Sequence, residues 1–170
     1  MPDLFKESDP VKVFSNTKKF IENKGYTIAD YDLNRPWGGF FVIDESESNT
    51  FIKDFFPEQN AVEFEGYSKL SPKILLVAPG KRLSWQYHHR RAEIWKVIEG
   101  EARIVRSATD EQGETETFSE GETIQLKQGE RHRLVGLSGW AAIAEIWKHT
   151  DPENPSDEDD IVRVSDDFGR

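Results

Sequence analysis

From residue 40 onward the chain is cut into short β-rich runs by glycine-bearing turns, and that rhythm leaves few folds open. The runs are Phe40–Ile43, Thr50–Phe56, Lys73–Ala78, Arg82–Tyr87, Ile94–Ile98, Ala102–Ser107, Thr115–Phe118, Thr123–Leu126, His132–Leu137 and Trp140–Trp147. Between them stand Pro79-Gly80, Glu99-Gly100, Glu120-Gly121, Gln128-Gly129 and Ser138-Gly139. Many short strands at this spacing predict an all-β sandwich or jelly roll. Eleven Phe, five Trp and four Tyr in 170 residues are enough large anchors for one core.

Upstream of residue 40 the period differs. Asp9 can cap a helix and Pro10 suits its first position, while Val13, Phe14, Thr17, Phe20 and Ile21 fall on one face. Gly25 then stops it, so a helix is expected over 9–24. Residues 1–34 read as an N-terminal helical extension, 35–150 as the barrel, and 151–170 as an acidic segment packing on it.

The stretch GKRLSWQYHHRRAEIWKVIEG, from Gly80 to Gly100, carries the chemistry. Side chains alternate along a strand, so Gln86 and His88 share a face while Trp85 and Tyr87 take the other. After a turn through Arg90 and Arg91, the returning strand offers Glu93, Trp95 and Val97 to one side. A second stretch, GETIQLKQGERHRLVG, sets His132 just after the Gln128-Gly129 turn. Two imidazoles, a carboxylate and an amide oxygen form a mixed N/O set for one divalent metal. Zinc is the first expectation, with iron, manganese, cobalt and nickel compatible. His89 and His149 are read as structural or solvated. Trp85, Tyr87 and Trp147, taken as opposite-face aromatics, are expected either to meet a partner or to pack under the N-terminal helix.

The net charge of −10 and pI of 4.9 argue against nucleic acid as a partner. The acidity is uneven, however. Asp and Glu crowd into 110–122 and 151–167, and Arg and Lys into 81–96 and 127–133, so a local basic pocket can still draw a small anion. With no cysteine, disulfides, thiolate metal sites and cysteine nucleophiles are excluded. MPDLFKESDP is not a signal peptide, and no apolar run is long enough to cross a membrane, so a cytoplasmic location is expected.

The motifs resemble the cupin superfamily. Gly80, Gln86, His88, Glu93 and Gly100 match its first motif, with Gln86 where a histidine is commoner. Gly121, Lys127, Gly129, His132 and Gly136 hold the places of its second, without the proline and asparagine. A closer resemblance is to the cupin domain of type II mannose-6-phosphate isomerases, carried by RPWG (35–38), KILLVAPG (73–80), LSWQYHHRRAEIW (83–95), RHR (131–133) and EDDIVRVSDDFGR (158–170). It departs from that pattern at Arg90, Ile94 and Gly136.

The resemblance implies a cupin double-stranded β-helix and a metal-dependent aldose–ketose isomerase acting on a sugar phosphate, with Gln86, His88, Glu93 and His132 as metal ligands. Lys73 and Arg163, each inside a matching segment, are the candidates to grip a phosphate, ahead of Arg90, Arg91, Arg131 and Arg133, which read as surface ion-pair partners. For the proton-moving base, Lys73, Glu145 and a metal-bound water stay open. Isomerisation of an unphosphorylated sugar, as in lyxose-isomerase cupins, and a non-catalytic sugar-binding cupin are the alternatives. A homodimer built by sheet contact is expected.

Overall fold

The structure is a computed structural model describing residues 3–67 and 69–170. Helix α1 (Pro10–Asn23) starts as its sequence dictates: the Asp9 carboxylate accepts from the Lys12 N–H, and Val13, Thr17 and Ile21 are buried. Gly25, at φ +87°, then turns the chain out of the helix.

The helical extension is shorter than expected, because residues 28–35 form strand β1 (Ile28–Arg35), paired antiparallel with β2 (Gly38–Ile43). At the edge of its sheet, β1 is half exposed and half partly buried, so Asp30, Asp32 and Asn34 are tolerated, and they alternate with Ala29, Tyr31 and Leu33 at the period of a strand. A second correction concerns Thr50–Phe56, which is not a strand. Helix α2 (Ser48–Phe55) takes its place and buries Phe51, Ile52 and Phe55 on one face. Those positions are one and four apart, and Phe51 and Phe55 meet each other (4.6 Å between ring centres) and Tyr26. Each buried aromatic contributes roughly 2–3 kcal/mol, more than the strand propensity of Phe, Ile and Thr can oppose.

The remaining strands are β3 (Lys73–Val77), β4 (Trp85–Tyr87), β5 (Arg91–Glu99), β6 (Glu101–Ser107), β7 (Thr115–Ser119), β8 (Thr123–Leu126), β9 (Arg131–Gly136), β10 (Ala141–His149) and β11 (Val162–Ser165). They form two antiparallel sheets facing each other, in the orders β1-β2-β3-β10-β5-β8 and β11-β4-β9-β6-β7. This is the expected jelly roll.

The centre of the first sheet, β2, β3, β10 and β5, is buried on both faces. Leu75, Val77, Trp95, Val97 and Ile143 point between the sheets with Ile104, Ile124 and Leu134. Ile74, Leu76, Ile94 and Ile146 point outward, under Val13, Ile21, Phe51 and Phe55 of the helices. This explains the unbroken apolar stretches 74–77 of β3 and 141–144 of β10. Trp85 and Tyr87 belong to the other sheet, away from the helices. The loop after β6 seals Trp85, whose Nε1 donates to the Asp110 carbonyl (2.7 Å), while the Arg131 guanidinium lies 3.7 Å from the Tyr87 ring centre. Among the described residues no helix is long and apolar enough to cross a membrane.

Candidate metal centre

Strand register brings the proposed ligands together. Gln86 on β4 pairs directly with His132 on β9, and Glu93 enters from β5 on the facing sheet. His88, just past β4, completes the group. One ligand atom from each of His88, Glu93 and His132 lies within 4.8 Å of the others, and all three side chains are buried. His88 Nε2 is 3.2 Å from Glu93 Oε1, and His132 Nε2 is 3.6 Å from Glu93 Oε2.

Hydrogen bonds set the imidazole tautomers. His88 Nδ1 donates to the Asp160 carbonyl (2.7 Å) and His132 Nδ1 to the Glu130 carbonyl (3.0 Å), so both Nε2 lone pairs face Glu93. His132 Nε2 and Glu93 Oε2 are buried with no hydrogen-bond partner. Two buried, unpartnered acceptors facing each other call for a cation, and the donor set fits a divalent metal. Burial, above all, lowers His88 to about 4, aided by Arg91 and His132, so the imidazole is neutral as ligation requires. For Glu93, burial acts upward, but the carboxyl is held below the usual range: the buried Arg91 guanidinium donates to it, and protonation of either neighbouring imidazole would lower it further. Gln86 faces the same pocket, with its Oε1 accepting from the Ser84 hydroxyl at 2.6 Å.

Arg91 is buried beside these groups. Its Nε donates to Glu93 Oε1 (2.8 Å) and its Nη2 lies 3.2 Å from His88 Nε2, while the guanidinium stacks 3.5 Å from the Trp147 ring centre. Glu145 on β10 accepts from two indoles, Trp95 Nε1 on one oxygen and Trp147 Nε1 on the other, both at 2.8 Å. Burial and then the Glu93 charge push its carboxyl up towards the neutral form. Lys73, across β3–β10 from Glu145, is buried with its ammonium 4.0 Å from the Trp147 ring centre and paired with Glu158. Arg163 is exposed on β11, opposite Gln86, and lines the same pocket.

The acidic segment before β11 closes over this pocket by specific bonds. The Asp160 carboxylate accepts from the His89 and Arg90 N–H groups (3.0 Å each) and the Ser156 hydroxyl (2.5 Å). His149 accepts from the Ser156 N–H at 2.9 Å and meets the Ser71 hydroxyl at 3.1 Å.

The profile of the family described as Mannose-6-phosphate isomerase C-terminal matches residues 55–166. The chain belongs to this family. Among curated proteins it is similar to a mannose-1-phosphate guanylyltransferase of Salmonella montevideo, 29% identical over 150 residues, covering 88% of this chain and 26% of that protein. It is also similar to the alginate biosynthesis protein AlgA of Pseudomonas aeruginosa, 27% identical, covering 82% of the chain and 23% of that protein. The chain thus spans about a quarter of the length of these relatives. Among solved structures, oxalate decarboxylase of Bacillus subtilis covers 79% of the chain and 30% of its own at TM-score 0.54 and 15% identity. The capsular polysaccharide assembling protein CapF of Staphylococcus aureus covers 79% and 34% at TM-score 0.53 and 15% identity. At that identity the structures speak for the cupin fold alone.

The pocket gathers Gln86, Glu93, Lys73, Glu145 and Arg163, and Glu93 joins it to His88 and His132 behind. Three sequence expectations are corrected. Trp147 does not pack under α1 but lines the pocket, because it shares a strand face with Glu145 two residues earlier. Arg91 is the first residue of β5 and not a surface turn residue, and its parity with Glu93 was the signal for its inward direction. Arg133 is buried, its Nη2 donating to the Ser165 carbonyl (3.2 Å), away from the pocket as parity required.

Proposed function

We propose that this cupin domain is a metal-dependent isomerase interconverting an aldose phosphate, mannose-6-phosphate-like, and its ketose. The observation that carries the reading is the buried convergence of two imidazole Nε2 atoms on an ionised carboxylate that borders a pocket lined by Lys73, Arg91 and Arg163. His88, Glu93 and His132 would hold the metal, with Gln86 as a fourth ligand. Zinc comes first, and iron, manganese, cobalt or nickel suit the same donors. When bound, the metal supplies Lewis acidity towards the sugar's carbonyl and adjacent hydroxyl oxygens.

The chain's own groups do the rest. Isomerisation moves one proton from C2 to C1 and a second from the C2 hydroxyl to the C1 carbonyl oxygen, and Glu145, with its raised proton affinity, suits the carbon-to-carbon transfer. The two indole N–H groups fix its orientation, so it acts from one face. Lys73 and Arg163 would hold the phosphate, spending remote binding energy on positioning the reacting carbons. The absence of cysteine suits a cytoplasmic setting.

Metal-stripped protein, reloaded with each divalent metal, should convert at least one member of a panel of hexose, pentose and heptose phosphates. Turnover in deuterated water should place deuterium on the product carbon. A panel without product, at full metal occupancy, overturns the reading. Arg91, already bonded to His88 and Glu93, favours a sugar-binding protein as the second reading, and tight ligand binding without product by NMR selects it.

A further inference from the structure

The Lys73–Glu158 pair is unequal. The Lys73 side chain is 6% exposed and that of Glu158 is 59% exposed. A buried ammonium needs a counter-charge, and among the described residues only the Glu158 carboxylate lies within ion-pair distance of it. Lys73 therefore depends on a carboxylate that reaches it from solvent.

The segment bearing Glu158 is anchored elsewhere. Asp160 and Ser156 are buried and bonded to the backbone of His89 and Arg90, to His149 and to Arg91, while Asp157 and Asp159 are exposed. Glu158 can leave Lys73 without unseating the segment. Arg163, lining the same pocket, makes no ion pair among the described residues.

We propose that Glu158 is a resident stand-in for the ligand's anion, occupying a subsite formed by Lys73 and Arg163 until the phosphate of a sugar phosphate displaces it. This rests on the sugar-phosphate reading above. Carboxylate and phosphate oxygens present the same acceptor to an ammonium, so the exchange never strands the buried charge. Phosphate brings more charge and further oxygens, with which it also engages the free guanidinium of Arg163. Glu158 simply returns to water.

Calorimetric titration of the purified protein with inorganic phosphate tests the exchange. A competitor that holds the subsite most of the time lowers apparent affinity by the free fraction, so Glu158→Gln should bind phosphate about five- to tenfold tighter than wild type. Glu158→Asp, with its shorter reach, should fall between them. Lys73→Met should abolish the gain, which also separates this subsite from phosphate bound at a metal. Equal or weaker binding by Glu158→Gln, with wild type binding phosphate, overturns the exchange and leaves the sugar-phosphate reading standing. If neither wild type nor Glu158→Gln binds phosphate, the reading fails and the exchange with it.

Discussion

Replacing Asp160 by Ala should both destabilise the protein and loosen its metal site, and the size of the first effect follows from the bonds it loses, read in two ways. The substitution strips the acceptor from the His89 N–H, the Arg90 N–H and the Ser156 hydroxyl, at a site where Asp160 is 4% exposed. At roughly 1 kcal/mol per lost bond this comes to about 3 kcal/mol. Titration gives a similar figure. Burial acts upward on the carboxyl, but the bonds from Ser156, His89 and Arg90 outweigh it and hold it at about 2, against an ordinary 3.8. That difference corresponds to about 2 kcal/mol. The folded value lies below the unfolded one, so this stability is complete above pH 3.8 and is lost as pH falls towards 2. Urea unfolding of metal-stripped protein at pH 7 should therefore show a loss of about 2–3 kcal/mol, narrowing towards pH 2. The Asp160 carbonyl also holds His88 Nδ1, so a slackened loop should weaken metal binding about 10- to 100-fold in a competitive chelator titration. A loss below about 0.5 kcal/mol with unchanged metal affinity would refute the reasoning.

Glu93→Gln keeps shape but removes the charge shared by both imidazoles and Arg91. Metal affinity should fall by at least roughly 100-fold, and the metal-free protein should lose about 3 kcal/mol because Arg91 is left buried without its counter-ion. Full metal occupancy by elemental analysis at micromolar protein would contradict this. Gly38→Ala should cost more than about 3 kcal/mol, since Gly38 sits at φ +146° and an added Cβ would lie 1.9 Å from the Leu76 carbonyl oxygen. A melting temperature within a few degrees of wild type speaks against it. Burial, with Lys69 and Arg91 adding to it, lowers His149 to about 4. Its folded value lies below the ordinary 6.5, so its stability is whole above pH 6.5 and lost as pH falls towards 4, by about 2–3 kcal/mol. His149→Gln should flatten that part of the stability–pH curve, and an unchanged slope would remove His149 as its cause.

The jelly roll and the candidate ligands were legible because both rest on local periodicity. Turns at Gly80, Gly100, Gly121 and Gly129 divide the strands, and period-two alternation places Gln86 with His88 and sets Glu93 inward. Strand β1 was equally legible, since Ala29, Tyr31 and Leu33 alternate with Asp30, Asp32 and Asn34, whereas α2 escaped because Phe51, Ile52 and Phe55 satisfy a strand as well as a helix until tertiary packing decides. Arg91 was within reach of the same parity argument that found Glu93, and Trp147 would have followed from Glu145 by the same rule. The acidic run 157–160 was not. Nothing local separates Asp160 from Asp157, Glu158 or Asp159; the distinction is made by N–H groups 70 and 71 residues away. That long-range closure carries a chemical consequence. The segment reaches the centre through Asp160 to His88 and through Ser156 and the Asp157 carbonyl to Arg91, which in turn bonds Glu93. Seating the tail and aligning two of the three candidate ligands are therefore one structural event, and a substitution that frees the tail should be felt at the metal before it is felt in the core.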